Sequence, residues 1–124
     1  MPPKISSSEW EVMSVIWAKG ALAATELYDA LPAGHGWKQK TVNTFLTRLV
    51  AKGALSADRR GKAFIYAALV DRDECVKAES DSFLERVFQG ATGNLVLHFC
   101  ENAELTPDEM KELEQLIKSR KAKK

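Results

Sequence analysis

Apolar residues recur at helical spacing through most of this chain, and at strand spacing in one short stretch. The clearest helical pattern runs from about Lys38 to Gly53. Val42, Phe45, Leu46, Leu49 and Val50 fall at i, i+3, i+4, i+7 and i+8, one stripe of an amphipathic helix. Upstream, Trp10, Met13, Ile16 and Trp17 give a first helix, with its tryptophans in the core. Ser8-Glu9-Trp10-Glu11 reads as its capping box, Ser8 with Glu11, and Lys19-Gly20 as its end. Thr25 is placed to cap a short second helix in which Leu27 and Leu31 share a face. Pro32-Ala33-Gly34-His35-Gly36 is a loop.

After Gly53 the period changes. Ala54–Asp58 and Ala63–Leu69 are short runs, the second rich in aromatic and aliphatic residues, separated by Arg59-Arg60-Gly61-Lys62. They predict a β-hairpin with a basic tip. Three helices followed by such a hairpin is the plan of a winged helix-turn-helix, in which the third helix enters the major groove and the wing meets the backbone or minor groove.

Asp71 to Gln89 predicts a long fourth helix with a stripe of Val76, Phe83, Leu84, Val87 and Phe88. Asn94–Cys100 is an apolar run read as a fifth helix, with Cys100 as a small buried hydrophobe. Thr106-Pro107-Asp108-Glu109 starts a sixth: Thr at the N-cap, Pro at N1, Glu at N3. Met110, Leu113, Leu116 and Ile117 continue it into a basic tail, Lys118–Lys124. The expected fold is mostly α (α+β): a winged helix over 1–70 and a helical dimerisation region over 71–124. The second part is too small to bury Phe83, Leu84, Val87, Phe88, Leu95, Val96, Phe99, Leu113, Leu116 and Ile117 within itself. A two-fold homodimer is the simplest way to cover them.

Charge sharpens the division. The chain has 124 residues and a net charge of +1. Residues 1–70 carry nine basic against five acidic side chains; residues 71–124 carry nine against twelve. The first part is suited to an anionic partner. On the 38–53 helix, Lys40, Thr44, Thr47, Arg48 and Lys52 lie opposite the apolar stripe, Thr41 at the edge and Asn43 at the flank, with no acid among them. Cations and short hydrogen-bonding groups on one face fit a phosphate backbone with base edges behind it. Arg59, Arg60 and Lys62 at the wing add a second basic feature. The alternative is a winged helix used as a protein–protein module, its basic face directed at an acidic partner.

Little else competes. There is no glycine-rich phosphate loop, nucleophile elbow or two-histidine metal motif, so no enzyme, cofactor or metal site is expected. No apolar run spans a bilayer and the N-terminus lacks a signal-peptide core, so a cytoplasmic protein without membrane insertion is expected. Cys75 and Cys100 make no disulfide framework.

The sequence also resembles a known family. The residues that carry the likeness are Ile5-Ser6-Ser7-Ser8-Glu9-Trp10-Glu11-Val12-Met13 with Trp17, Trp37-x-x-Lys40-Thr41-Val42, Thr44-x-x-Thr47-Arg48-Leu49 and Lys52-Gly53. Phe64-x-Tyr66 and Leu95-Val96-Leu97-x-Phe99 extend it. The chain is similar in these to the penicillinase and methicillin-resistance repressors of the BlaI/MecI type. The resemblance implies a dimeric winged-helix transcriptional repressor on an operator dyad, controlling a β-lactamase-type or related regulon. It implies DNA contacts from Lys40, Thr41, Thr44, Thr47 and Arg48; Asn43 stands where relatives can have a base-contacting Arg. In that family the repressor is inactivated by cleavage at an Asn-Phe bond. The aligned pair here is His98-Phe99, the candidate cleavage site if a membrane sensor-protease system acts on this chain. The Cys-x-Cys pair of the copper-responsive branch is absent, so copper sensing is not expected.

Overall fold

A computed structural model describes residues 2–32 and 35–122. Ala33 and Gly34 of the expected loop, and Lys123 and Lys124 of the basic tail, lie outside the described residues. In chain order the elements are α1 (Ser7–Lys19), β1 (Leu22–Ala23), α2 (Ala24–Ala30), α3 (Gln39–Ala51), β2 (Leu55–Arg60), β3 (Ala63–Ala68), α4 (Arg72–Phe88), α5 (Thr92–Asn102) and α6 (Pro107–Ala122). The chain divides into two compact units, Met1–Asp81 and Ser82–Lys124, with α4 running across the division.

The first unit is a winged helix. Val12, Met13 and Ile16 of α1, Leu27 of α2, and Val42, Leu46 and Leu49 of α3 pack into one core with Leu55 of β2. Burying each of these side chains stabilises the fold by roughly 1.5–3 kcal/mol before conformational entropy is charged against it. Trp10 and Trp17 flank this core half-buried, 5.6 Å apart and edge to face. The Trp17 indole N–H donates to the Val70 carbonyl at 3.1 Å, tying α1 to the approach to α4.

The capping of α1 differs from the expected frame. Ser6, not Ser8, is the N-cap. Its hydroxyl accepts the Glu9 N–H at 3.2 Å, while Glu9 Oε1 accepts the Ser6 N–H at 2.9 Å. Two Ser-x-x-Glu frames overlap here, and the chosen one places Glu9 where it can be buried and ion-paired. Thr25 likewise does not cap α2, which begins one residue earlier. Glu26 reaches back instead, accepting the Ala23 N–H at 2.9 Å.

Two-residue β1 is an element that periodicity did not reveal. It lies along β3, Leu22 opposite Tyr66 and Ala23 opposite Ile65, and makes a three-stranded antiparallel sheet of order β1-β3-β2. The end of α3 sets the direction of the hairpin. Gly53 adopts φ +82°, and the N–H groups of Gly53 and Ala54 return to the carbonyls of Val50 and Leu49. This is a Schellman motif, whose left-handed residue favours glycine. The strands run further than the sequence pattern indicates. Arg59 and Arg60 belong to β2, paired with Phe64 and Ala63. That leaves Gly61-Lys62 as a two-residue turn, with Gly61 at φ +64° in its first position.

Asp71 caps α4, accepting the Glu74 N–H at 3.2 Å. Cys75 in its first turn joins the core of the first unit at 3% exposure. Burial, with Asp71 and Glu74 close by, pushes its thiol pKa up. Cys100, expected to be buried, is exposed.

In the second unit the Thr106 capping box forms as expected: Thr106 Oγ1 accepts the Glu109 N–H at 3.1 Å and Glu109 Oε1 accepts the Thr106 N–H at 2.9 Å. No described residue of α5 or α6 is buried. Phe83, Val87, Val96, Phe99, Leu116 and Ile117 are exposed. Leu84, Phe88, Leu95 and Leu113 are half-buried.

Candidate nucleic-acid interface

The apolar stripe of α3 rests on α1 and α2 and turns the opposite face outward. Lys40, Asn43, Thr44, Thr47 and Arg48 are exposed on it, and Thr41 is half-buried at its margin. The threonine hydroxyls are oriented by their own helix: Thr44 Oγ1 donates to the Lys40 carbonyl at 3.1 Å and Thr47 Oγ1 to the Asn43 carbonyl at 3.0 Å. Their donor hydrogens are engaged, so they offer lone pairs and methyl groups outward.

One residue of this face went unnoticed in the sequence. Gln39, in the first turn of α3, donates from Nε2 to Asn43 Oδ1 at 3.0 Å and to the Ala24 carbonyl at 3.4 Å. Its i,i+4 spacing to Asn43 is the signal that could have found it.

Lys52 is exposed, but its ammonium is drawn toward α1. Its ammonium pairs with the Glu9 carboxylate and donates to the Lys4 carbonyl at 2.9 Å. Glu9 is 2% exposed. Burial pushes its carboxyl pKa up, but hydrogen bonds from Lys52 and Ser6 and the Lys52 charge outweigh that, and the net shift is downward. The Lys52 charge is therefore engaged within the first unit.

On the wing, Arg59, Arg60 and Lys62 are all exposed. Arg59 Nε donates to the Gly61 carbonyl at 3.2 Å, which braces the guanidinium along the turn. Phe64, opposite Arg59, is 47% exposed.

An aromatic cluster supports the entry to α3. His35 stacks on Trp37 at 4.1 Å and pairs with Glu11 of α1 at 2.8 Å. Trp37 meets Phe45 edge to face, and its carbonyl accepts the Tyr28 hydroxyl at 2.8 Å. His35, exposed in the loop before α3, thus links Glu11 of α1 to Trp37 at the start of α3. Among the described residues there is no group of three or more His, Cys, Asp or Glu that could hold a metal ion. No described helix is long and apolar enough to cross a membrane.

A family model for the penicillinase repressor matches residues 5–119. The chain belongs to the penicillinase repressor family. That family comprises regulators of transcription, not enzymes. The chain is 37% identical to the penicillinase repressor of Bacillus licheniformis over 122 residues, covering 98% of this chain and 95% of that one. It is 35% identical over 114 residues to the methicillin resistance regulatory protein MecI of Staphylococcus aureus strain N315, covering 92% and 93%. The fold is similar to the solution structure of monomeric Bacillus licheniformis BlaI in complex with the blaP half-operator. That match has 36% identity and a TM-score of 0.52, over 60% of this chain and 90% of that one.

Proposed function

We propose that this penicillinase repressor family member binds a double-stranded operator dyad as a homodimer and blocks transcription of a β-lactamase-type or related regulon in the cytoplasm. The observation that carries the reading is the outward face of α3. It is free of acids and lies in the same winged-helix unit as Arg59, Arg60 and Lys62, in a fold similar to that of a relative bound to a half-operator. Residues 1–70 carry the DNA contacts. Thr41, Asn43, Thr44 and Thr47 face the groove and its flank, while Lys40, Arg48 and the wing cations meet phosphates. Lys52 acts from within, fixing the end of α3 against α1.

Residues 71–124 carry dimerisation. The exposed Phe83, Val87, Val96, Phe99, Leu116 and Ile117, with Leu84, Phe88, Leu95 and Leu113, form the surface that a second copy covers. His98-Phe99 lies within α5; a membrane sensor-protease system cleaving there would act within this surface. A salt-titrated shift assay on operator and random duplexes tests the function. Steep loss of affinity with salt supports it. Little binding at any salt would instead indicate a protein-binding module.

A further inference from the structure

Gln39 sets which way round the Asn43 amide faces. A backbone carbonyl only accepts hydrogen bonds, so the contact to the Ala24 carbonyl identifies the end of the Gln39 side chain that is nitrogen. The same nitrogen lies 3.0 Å from the Asn43 side-chain amide, which must therefore turn its oxygen toward it. The Asn43 oxygen is then engaged within the protein, and its two amide hydrogens point away from Gln39. Asn43 is exposed and Gln39 half-buried, so the arrangement lies on the outward flank of α3 with one end anchored at the start of α2.

An asparagine read by adenine uses both ends of its amide, accepting from N6 and donating to N7. With its oxygen turned toward Gln39 and one of its two lone pairs taken there, Asn43 is a poorer acceptor for N6 and presents chiefly its amide hydrogens outward. Of the four bases, guanine presents two adjacent acceptors in the major groove, N7 and O6, and no donor beside them. We propose that Gln39 is a specificity-determining residue that locks Asn43 as a hydrogen-bond donor, so that the base pair facing Asn43 is read as guanine in preference to adenine. The proposal rests on the DNA-binding reading above and adds to it a polarity for one contact.

The test is selection of half-site variants from a randomised duplex pool with the full-length chain, followed by titration of the winners. Wild type should select guanine at one position that Asn43→Ala makes indifferent. Gln39→Ala frees the oxygen, so adenine should gain on guanine there by on the order of five- to tenfold, with other positions unchanged. Gln39→Glu replaces the donor by an acceptor and turns the Asn43 amide around. It should exclude guanine at that position more strongly than Gln39→Ala does. Selection of adenine by wild type, or an unchanged preference in both Gln39 variants, overturns the proposal while leaving DNA binding intact. Absence of any duplex binding by wild type removes the underlying reading and the proposal with it. Circular dichroism of both variants separates a changed contact from a lost fold.

Discussion

Glu9 and Lys52 stand 43 residues apart in sequence and form an ion pair that joins the first turn of α1 to the end of α3. Removing Lys52 leaves a carboxylate at 2% exposure without its cation. We expect Lys52→Met to destabilise the first unit by about 2 kcal/mol, the scale of a lost hydrogen bond to a charged group. Urea unfolding measures it. The salt slope of DNA binding should scarcely change, because the Lys52 charge is already engaged; a slope that loses a full unit would reassign Lys52 to the phosphates.

The same pair gives a pH dependence. The folded Glu9 pKa lies below its ordinary value. Its stabilisation is therefore complete above the unfolded glutamate pKa of about 4.3, and is lost as pH falls through that value to the depressed one. Glu9→Gln should flatten this acid limb, read as urea midpoints between neutral pH and about pH 3. An unchanged limb in Glu9→Gln would show that another carboxylate controls it.

Counterion release sets the expected salt dependence. If Lys40, Arg48, Arg59, Arg60 and Lys62 supply three to five phosphate contacts per protomer, a dimer should show a log–log slope on the order of −5 to −9. Fluorescence anisotropy over a salt series measures it, and a slope near zero contradicts a DNA surface.

Helix and wing should fail in different ways. Arg60→Ala should weaken binding to all operator variants by similar factors, since a phosphate contact carries no base information. Asn43→Ala should change their ranking. Competition binding over a panel of half-sites distinguishes the two, and the reverse outcome would exchange the roles of α3 and the wing.

Phe99, 50% exposed on α5, tests the second unit. Phe99→Glu places a charge in the surface that a second copy is expected to cover. The dimer should dissociate, and operator affinity should fall much further than helix content. Sedimentation with circular dichroism reads both. A wild-type monomer at micromolar concentration, or a dimeric Phe99→Glu with full affinity, would require another account of this surface.

Periodicity makes the helices legible because each buries a stripe: Val42, Leu46 and Leu49 announce α3, and the Thr106 box marks the start of α6. What stays hidden depends on partners distant in sequence. β1 has two residues, too few to express a period, and exists because β3 brings Tyr66 and Ile65 opposite it. The Ser6 frame is the one in which the capping Glu9 meets Lys52, far along the chain. Gln39 looks like an ordinary first-turn residue until the Ala24 carbonyl is placed beside it. Cys75 falls outside the expected stripe of α4 yet is buried in the first unit, whereas Cys100 sits in an apolar run of a surface this chain alone does not cover. The exposed cations of α3 are legible as a set; that Lys52 is held apart from them is not.

The division of the chain has an optical consequence. Its three tryptophans, Trp10, Trp17 and Trp37, and both tyrosines, Tyr28 and Tyr66, all fall in the first unit. Intrinsic emission therefore reports that unit alone, whereas far-ultraviolet ellipticity also includes α5 and α6. If a second copy covers the second unit, diluting the protein and heating it should separate the two signals. A loss of ellipticity that moves with concentration, without a matching change in emission, belongs to the unit that holds neither tryptophan nor tyrosine, with no label required.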